Sequence, residues 1–161
     1  MQGLLSIGGL VFPCALGRSG ISSVKREGDG ATPRSAMRPL SIYFRRDRRP
    51  GGIGPVRLPT RPIRPDLGWC DAARNANYNR PVKLPCDASH EKMKRDDGLY
   101  DVCVVLDWNI TPRKRGAGSA IFLHLARPGM KPTEGCIAVT PRTMTRLLPA
   151  LSSRTRIRVL S

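Results

Sequence analysis

A histidine and a cysteine twelve positions apart are the residues of this sequence best suited to chemistry. His124 lies in one apolar run, and Cys136 opens a second run after a turn rich in Pro and Gly, in the stretch FLHLARPGMKPTEGCIAV. A free thiol is mostly protonated at neutral pH, and a nearby imidazole lowers its pKa or removes its proton during attack. The spacing therefore predicts a nucleophilic thiol with a histidine base, provided that two neighbouring strands carry them.

The residues next to Cys136 fit acyl transfer. Gly135 has no side chain to block an approaching substrate, and the backbone N–H groups of Gly135 and Cys136 are candidates for stabilising an oxyanion. A second interpretation stays open on residue types alone. A single histidine on an apolar strand is commonly a satisfied core residue, and a cysteine at the start of a strand is commonly a small hydrophobe.

Two strands are predicted to position the histidine. In AIFLHLA, alternation places Ala120, Phe122 and His124 on one side. The segment LYDVCVVLDWN, residues 99–109, is the strongest strand pattern, with apolar residues throughout 102–106, which is typical of a central strand buried on both faces. We expect these two strands to pair as a hairpin with a long loop, and the run GCIAV to supply a third strand.

One helix is predicted after the cysteine, over residues 140–151. Thr140 is a suitable cap, and Pro141 occupies the first helical position, where proline is favoured. Pro149 is expected to end or kink the helix. One apolar stripe faces the core and comprises Met144, Leu147, Leu148 and Leu151.

The rest of the chain is predicted to be strands and loops. The opening MQGLLSIGGLVFPCALG is apolar but lacks a preceding Lys or Arg, so we interpret it as the first strands, with residues 8–16 as a strand pair or bulged strand, rather than as a signal peptide. Residues 25–39 are predicted as a loop, 40–46 as a half-buried strand and 155–161 as a closing strand. The Arg, Pro and Gly of residues 47–65 exclude a helix or a central strand. Irregular structure continues to Pro85, anchored by Trp69 and Tyr78.

Composition favours one mainly β domain over residues 1–161. The chain has 16 Gly and 15 Pro among 161 residues, and it contains no apolar run of ~18 residues that would suit a transmembrane helix. Its formal net charge of +16 attracts nucleic acid, anionic lipid or acidic wall polymer. The arginine-rich segment 45–64 lacks interleaved aromatic residues, so a nucleic-acid-binding module without catalysis is our second hypothesis, and a specific nucleic-acid partner is not expected.

The other candidate ligands form no recognisable metal motif. A zinc set of Cys70, Cys86, His90 and Cys103 would lack the close ligand pairs of zinc sites, so no metal is predicted. A disulfide between Cys70 and Cys86 remains an alternative to free thiols, which we favour. The segment SHEKMKRDD is predicted as a surface helical turn, although His90 and Glu91 are also candidates for the acceptor side of a cleft.

The stretch from His124 to Cys136 resembles the signature of the L,D-transpeptidase catalytic domain (the YkuD-type family). In that signature a histidine strand is followed by Ser or Thr, any residue, Gly and the nucleophilic Cys, here Thr133, Glu134, Gly135 and Cys136. Upstream, KREGDGATP is similar to a loop containing Thr-Pro in the family. Two positions differ, because many members have His before the Gly and Arg two residues after the Cys, whereas this chain has Glu134 and Ala138. Arg127 and Arg142 are candidates to replace that arginine.

The resemblance implies a mainly β fold, a β-sandwich or curved sheet pair with one helix after the catalytic cysteine. It implies that Cys136, with His124 as base, forms a thioester with a peptidoglycan stem peptide and passes the acyl group to an amine, or to water in a carboxypeptidase. Gly135 would give room and a backbone donor, and Thr133 would orient the strand or the histidine. The resemblance further implies a bacterial periplasm or cell envelope and a carbapenem β-lactam as covalent inhibitor. This chemistry needs no cofactor.

Overall fold

The protein is mainly β, as predicted, with 33% of residues in strands and one α-helix near the C-terminus. A computed structural model describes residues 1–7 and 9–160, so Gly8 and Ser161, which the strand predictions included, lie outside the described residues. The strands are β1 Gln2–Ile7, β2 Leu10–Ala15, β3 Ile21–Ser22, β4 Thr32–Pro33, β5 Ala36–Met37, β6 Pro39–Phe44, β7 Thr60–Pro62, β8 Leu67–Cys70, β9 Pro81–Lys83, β10 His90–Lys92, β11 Val102–Leu106, β12 Phe122–Leu125, β13 Ile137–Val139 and β14 Ile157–Arg158. The helix is α1 Pro141–Leu147.

A seven-stranded sheet carries both residues of the predicted pair. Its order is β1-β2-β13-β12-β11-β6-β7. Strand β11 is buried at every position and lies between β12 and β6, which confirms the predicted central strand. Strand β12 pairs with β11 in the antiparallel sense and with β13 in the parallel sense. The predicted strand neighbours are therefore adjacent in the sheet.

Alternation along β11 and β12 divides the core into two clusters. Leu123 and Leu125 point to the larger cluster, where they join the buried side of α1. Phe122 points to the smaller, more aromatic cluster with Trp69 and Tyr100. His124 is on the side of Phe122, as the period of two predicts, and its ring contacts Tyr100 edge-on with 5.3 Å between the ring centroids.

The helix follows the predicted sequence signals. Thr140 is the N-cap and its hydroxyl accepts a hydrogen bond from the Thr143 N–H at 3.1 Å. Pro141 is the first helical residue, and the predicted apolar stripe is buried. The α-helix ends at Leu147, and Pro149 lies in the 3₁₀ turn that follows. None of the described residues belongs to a helix that is both long and apolar enough to span a membrane.

The arginine-rich segment contributes only an edge strand. Strand β7 lies at the end of the large sheet, parallel to β6, so the prediction that this segment lacks a helix or central strand is confirmed. Leu58 and Ile63 are buried and attach the segment to the body of the protein. The opening residues form the β1–β2 hairpin, in agreement with the predicted first strands.

Three local predictions were wrong. Strands β8 and β9 lie in the region up to Pro85 that was predicted to be irregular, and they form a three-stranded sheet in the order β10-β8-β9. The segment SHEKMKRDD includes strand β10, where a helical turn was predicted, and the predicted loop 25–39 contains the short strands β4 and β5. These strands have two to four residues, too few to show a period, and each is held by pairing with a partner that lies elsewhere in the chain.

Candidate active site

Strands β12 and β13 bring His124 and Cys136 to one cavity. His124 lies opposite Ala138 in the parallel pair, and Cys136 precedes β13 by one residue. The Cys136 sulfur accepts a hydrogen bond from the Phe122 N–H at 3.3 Å, and the thiol donates to the Ala120 carbonyl at 3.2 Å. Both side chains line a cavity of about 380 Å³.

The turn before Cys136 is organised by Thr133. Its hydroxyl donates to the Cys136 carbonyl at 2.6 Å and accepts from the Gly135 N–H at 3.2 Å. The Thr133 N–H donates to the Leu16 carbonyl at 2.9 Å, just after β2. Thr133 thus connects the turn that carries the thiol to the neighbouring part of the sheet.

Gly135 occupies a position that other residues would not fit. Its φ is +135°, a conformation that residues with a side chain rarely adopt. A Cβ at this position would lie 2.8 Å from the Ala31 carbonyl oxygen. Ala31 precedes the Thr-Pro pair of β4, and the buried Thr32 hydroxyl accepts from the Gly17 N–H at 2.8 Å. The Thr-Pro loop therefore packs directly against the turn of Cys136.

Burial makes both members of the pair neutral in the resting protein. It raises the pKa of the Cys136 thiol to about 12 and lowers the pKa of His124 to about 4. The His124 Nδ1 atom lies 2.8 Å from the Leu125 carbonyl, which can only accept, so Nδ1 carries the proton and Nε2 has the free lone pair. The arrangement suits a base that removes the thiol proton during attack, rather than a preformed thiolate.

A family model described as the L,D-transpeptidase catalytic domain (YkuD) matches residues 5–159. The chain belongs to this family. No curated protein and no solved structure gave a significant match. The L,D-transpeptidases of the family act on peptidoglycan and are typically located in the bacterial cell envelope. The prediction that residues 1–161 form one catalytic domain stays a prediction.

At two positions this L,D-transpeptidase domain differs from many members of its family, and the structure shows the surroundings of both. Glu134 forms an ion pair with Arg18 at 2.7 Å, and both side chains are exposed. Ala138, which stands where many members have Arg, lines the cavity. Of the two candidate replacements, Arg127 lines the cavity, whereas Arg142 is exposed on α1 outside its lining.

An aromatic and charged wall surrounds the histidine. The Tyr100 hydroxyl donates to Glu91 at 3.2 Å, and the Arg95 guanidinium contacts Glu91 at 2.7 Å and stacks 5.2 Å from the centre of the Tyr100 ring. Burial holds the Tyr100 pKa well above its usual value, so the hydroxyl remains a donor. Glu91 lines the cavity, whereas His90 is outside the lining and contacts the Ala88 carbonyl. That Glu91 lies on the acceptor side of the cleft stays a prediction.

Tyr100 and Arg95 were not among the site residues predicted from the sequence. The only local signal was the position of Tyr100 immediately before the central strand, and that signal does not say which face the ring takes. The other four cysteines are not among the residues that line the cavity, although Cys103 lies opposite His124 in the β11–β12 pair. All five cysteines have free thiols, including Cys70 and Cys86, and the described residues contain no group of three or more His, Cys, Asp or Glu side chains suited to a metal ion.

Proposed function

We propose that this domain is a cysteine acyltransferase that forms a thioester between Cys136 and a peptidoglycan stem peptide and transfers the acyl group to an amine. The observation that carries the proposal is the shared cavity of His124 and Cys136 in a chain of the L,D-transpeptidase family. Members of that family typically work in the cell envelope, and we propose the same location for this protein.

The first half-reaction begins from the neutral pair. The thiol turns from the Ala120 carbonyl towards His124 Nε2, which takes the proton as sulfur attacks the peptide carbonyl. Because the Gly135 N–H already donates to Thr133, we assign the Cys136 N–H to the developing oxyanion. The C–N bond then breaks, the imidazolium protonates the departing amine, and the thioester remains.

The second half-reaction reverses these roles. An acceptor amine attacks the thioester carbonyl, and His124 takes a proton from the attacking nitrogen. The C–S bond breaks, and the proton returns to the sulfur of Cys136. If water replaces the amine, the same steps hydrolyse the thioester, and the enzyme is an L,D-carboxypeptidase. That activity is the second candidate, and it differs only in which acceptor reaches the cavity.

Covalent labelling by a carbapenem tests the nucleophile. We expect the native protein to gain one drug mass, measured on the intact protein, and Cys136→Ala to gain none. Cys86→Ala is the matched control, because Cys86 is a partly buried free thiol outside the cavity lining, and it should label like the native protein. Absence of an adduct on the native protein would count against the proposed activity. Product analysis with purified muropeptides then separates cross-linking from trimming.

A further inference from the structure

Eight of the 12 carboxylates form ion pairs among the described residues, and two of the remaining four line the cavity of Cys136. The chain has 28 Lys and Arg against 12 Asp and Glu, so most carboxylates form an ion pair with a basic side chain. Ion pairs within 4 Å occupy Asp29, Asp47, Asp66, Glu91, Asp97, Asp101, Asp107 and Glu134. Glu27 and Asp71 form no such pair among the described residues, and both face the cavity.

The surroundings of these two carboxylates leave hydrogen-bonding capacity open. Glu27 accepts a hydrogen bond from the Tyr78 hydroxyl, and burial raises the Tyr78 pKa, so this partner stays neutral. The Asp71 Oδ1 atom is buried and has no hydrogen-bond partner among the described residues. Ser119 exposes only 7% of its surface and lines the same cavity. Its hydroxyl lies near the Tyr78 hydroxyl but has no partner in hydrogen-bond geometry in the part of the chain that the structure describes. Buried polar atoms are normally satisfied, so two unsatisfied ones in a cavity indicate a place for a ligand.

The cluster shares the cavity with the reactive sulfur, and one of its members is next in sequence to a residue that contacts this sulfur. Ser119 immediately precedes Ala120, whose carbonyl accepts the hydrogen bond of the Cys136 thiol. The other charged residues that line the cavity are either ion-paired or exposed. The Lys25 ammonium is paired with Asp29, and Arg127 and Lys131 are exposed residues of the lining.

We propose that Glu27, Asp71 and Ser119 form a subsite for the primary ammonium group of the acyl acceptor. An ammonium group donates three hydrogen bonds, and the two carboxylates and the hydroxyl supply three acceptors of matching polarity. The bound ammonium passes one proton to a subsite carboxylate, which later releases it to solvent, and the neutral amine then attacks the thioester. The inference rests on the proposed thioester chemistry, and it assigns the acceptor as a peptide with a primary amine in its side chain, in preference to water.

The partition between aminolysis and hydrolysis tests this subsite. A stem tetrapeptide serves as donor and a stem tripeptide ending in diaminopimelate as acceptor, and mass spectrometry gives the ratio of cross-linked to hydrolysed product. The ratio depends only on steps after the thioester has formed. Removing charge-assisted hydrogen bonds in Asp71→Asn combined with Ser119→Ala should lower the ratio by about 10- to 100-fold at equal acceptor concentration.

Matched variants separate the subsite from general effects. Asp71→Glu keeps the charge and should retain more of the native ratio than Asp71→Asn. Asp87→Asn removes an exposed carboxylate that also has no ion pair and does not line the cavity, and it should leave the ratio unchanged. Ser119→Ala alone is measured as well, with a smaller fall expected, so the test stands if the double variant does not fold.

Three outcomes lead to different conclusions. A native ratio in the folded Asp71 and Ser119 variants would overturn the subsite. Hydrolysed product alone from the native protein, at every acceptor concentration, would also overturn it while leaving thioester formation at Cys136 in place. Neither product from the native protein, together with no carbapenem adduct, would instead remove the proposed function on which the subsite rests.

Discussion

At the scale of single residues, burial decides how the Cys–His pair works. His124 and Cys136 are shifted in opposite directions, and both shifts favour the uncharged form. A pair of this kind differs from a thiolate–imidazolium pair, in which the nucleophile is charged before substrate arrives. In the proposed mechanism the negative charge on sulfur develops only as the proton moves to Nε2, so the rate would depend on a neutral histidine.

The pH dependence of acylation follows from that state. The rate of carbapenem adduct formation should be flat through neutral pH and fall to half at a pH of about 4, where His124 becomes protonated. A midpoint near 6.5, the ordinary value for histidine, would contradict the buried imidazole.

Circular dichroism at each pH controls for unfolding in the same range. His124 gains a proton below pH 6.5 in the unfolded chain but only near pH 4 in the folded protein. The free energy of unfolding therefore falls as pH drops from 6.5 towards 4. This contribution amounts to about 3 kcal/mol in total.

At the scale of elements, a tight turn from Thr133 to Cys136, immediately before β13, positions the cysteine. The turn is fixed from two directions, by Thr133 along the chain and by the Ala31 carbonyl from the Thr-Pro loop. Glycine at position 135 is required by both its backbone conformation and this close approach, and these two effects can be separated by mutation.

Gly135→Ala should lower the free energy of unfolding by about 2 kcal/mol or more and slow acylation, because the new Cβ displaces the turn of Cys136. Gly129→Ala is the matched control, since Gly129 also has a positive φ, +73°, but has no atom within 4 Å of a Cβ. The control should lose about 1 kcal/mol and keep its acylation rate. Chemical denaturation and intact-protein mass spectrometry measure the two effects. Equal losses in both variants would show that the Ala31 contact does not matter.

At the scale of the whole molecule, the charge of +16 governs approach rather than chemistry. Eight of the carboxylates are in ion pairs, and the remaining basic residues act together as an attraction for anionic polymer. This long-range effect is distinct from the cavity, whose lining includes the carboxylates of Glu27 and Asp71.

Association with an anionic polymer should weaken steeply with salt and be the same in Cys136→Ala as in the native protein. Fluorescence anisotropy with a single-stranded oligonucleotide and with polyglutamate measures this, and the affinity for both polymers should fall as salt rises because the attraction is non-specific. Tight binding to one nucleic-acid sequence that persists at high salt would contradict a purely electrostatic surface and favour the nucleic-acid-binding hypothesis.

The sequence by itself determined the elements with a clear local pattern. The five apolar residues of β11 specified a central strand, alternation placed His124 on the side of Phe122, and Thr140 with Pro141 specified the start of the helix. These signals are local, because they depend on the period of the backbone and on hydrogen bonds between residues close in the chain.

Only the tertiary structure decided the state and the surroundings of the candidate site. The neutral pair depends on burial, the need for glycine at 135 depends on a carbonyl about a hundred residues earlier, and Glu27, Asp71 and Ser119 come from three distant segments. The short strands of the β10-β8-β9 sheet also exist only through pairing with distant partners. Desolvation and contacts between distant segments arise when the chain closes on itself, so no window of neighbouring residues contains them.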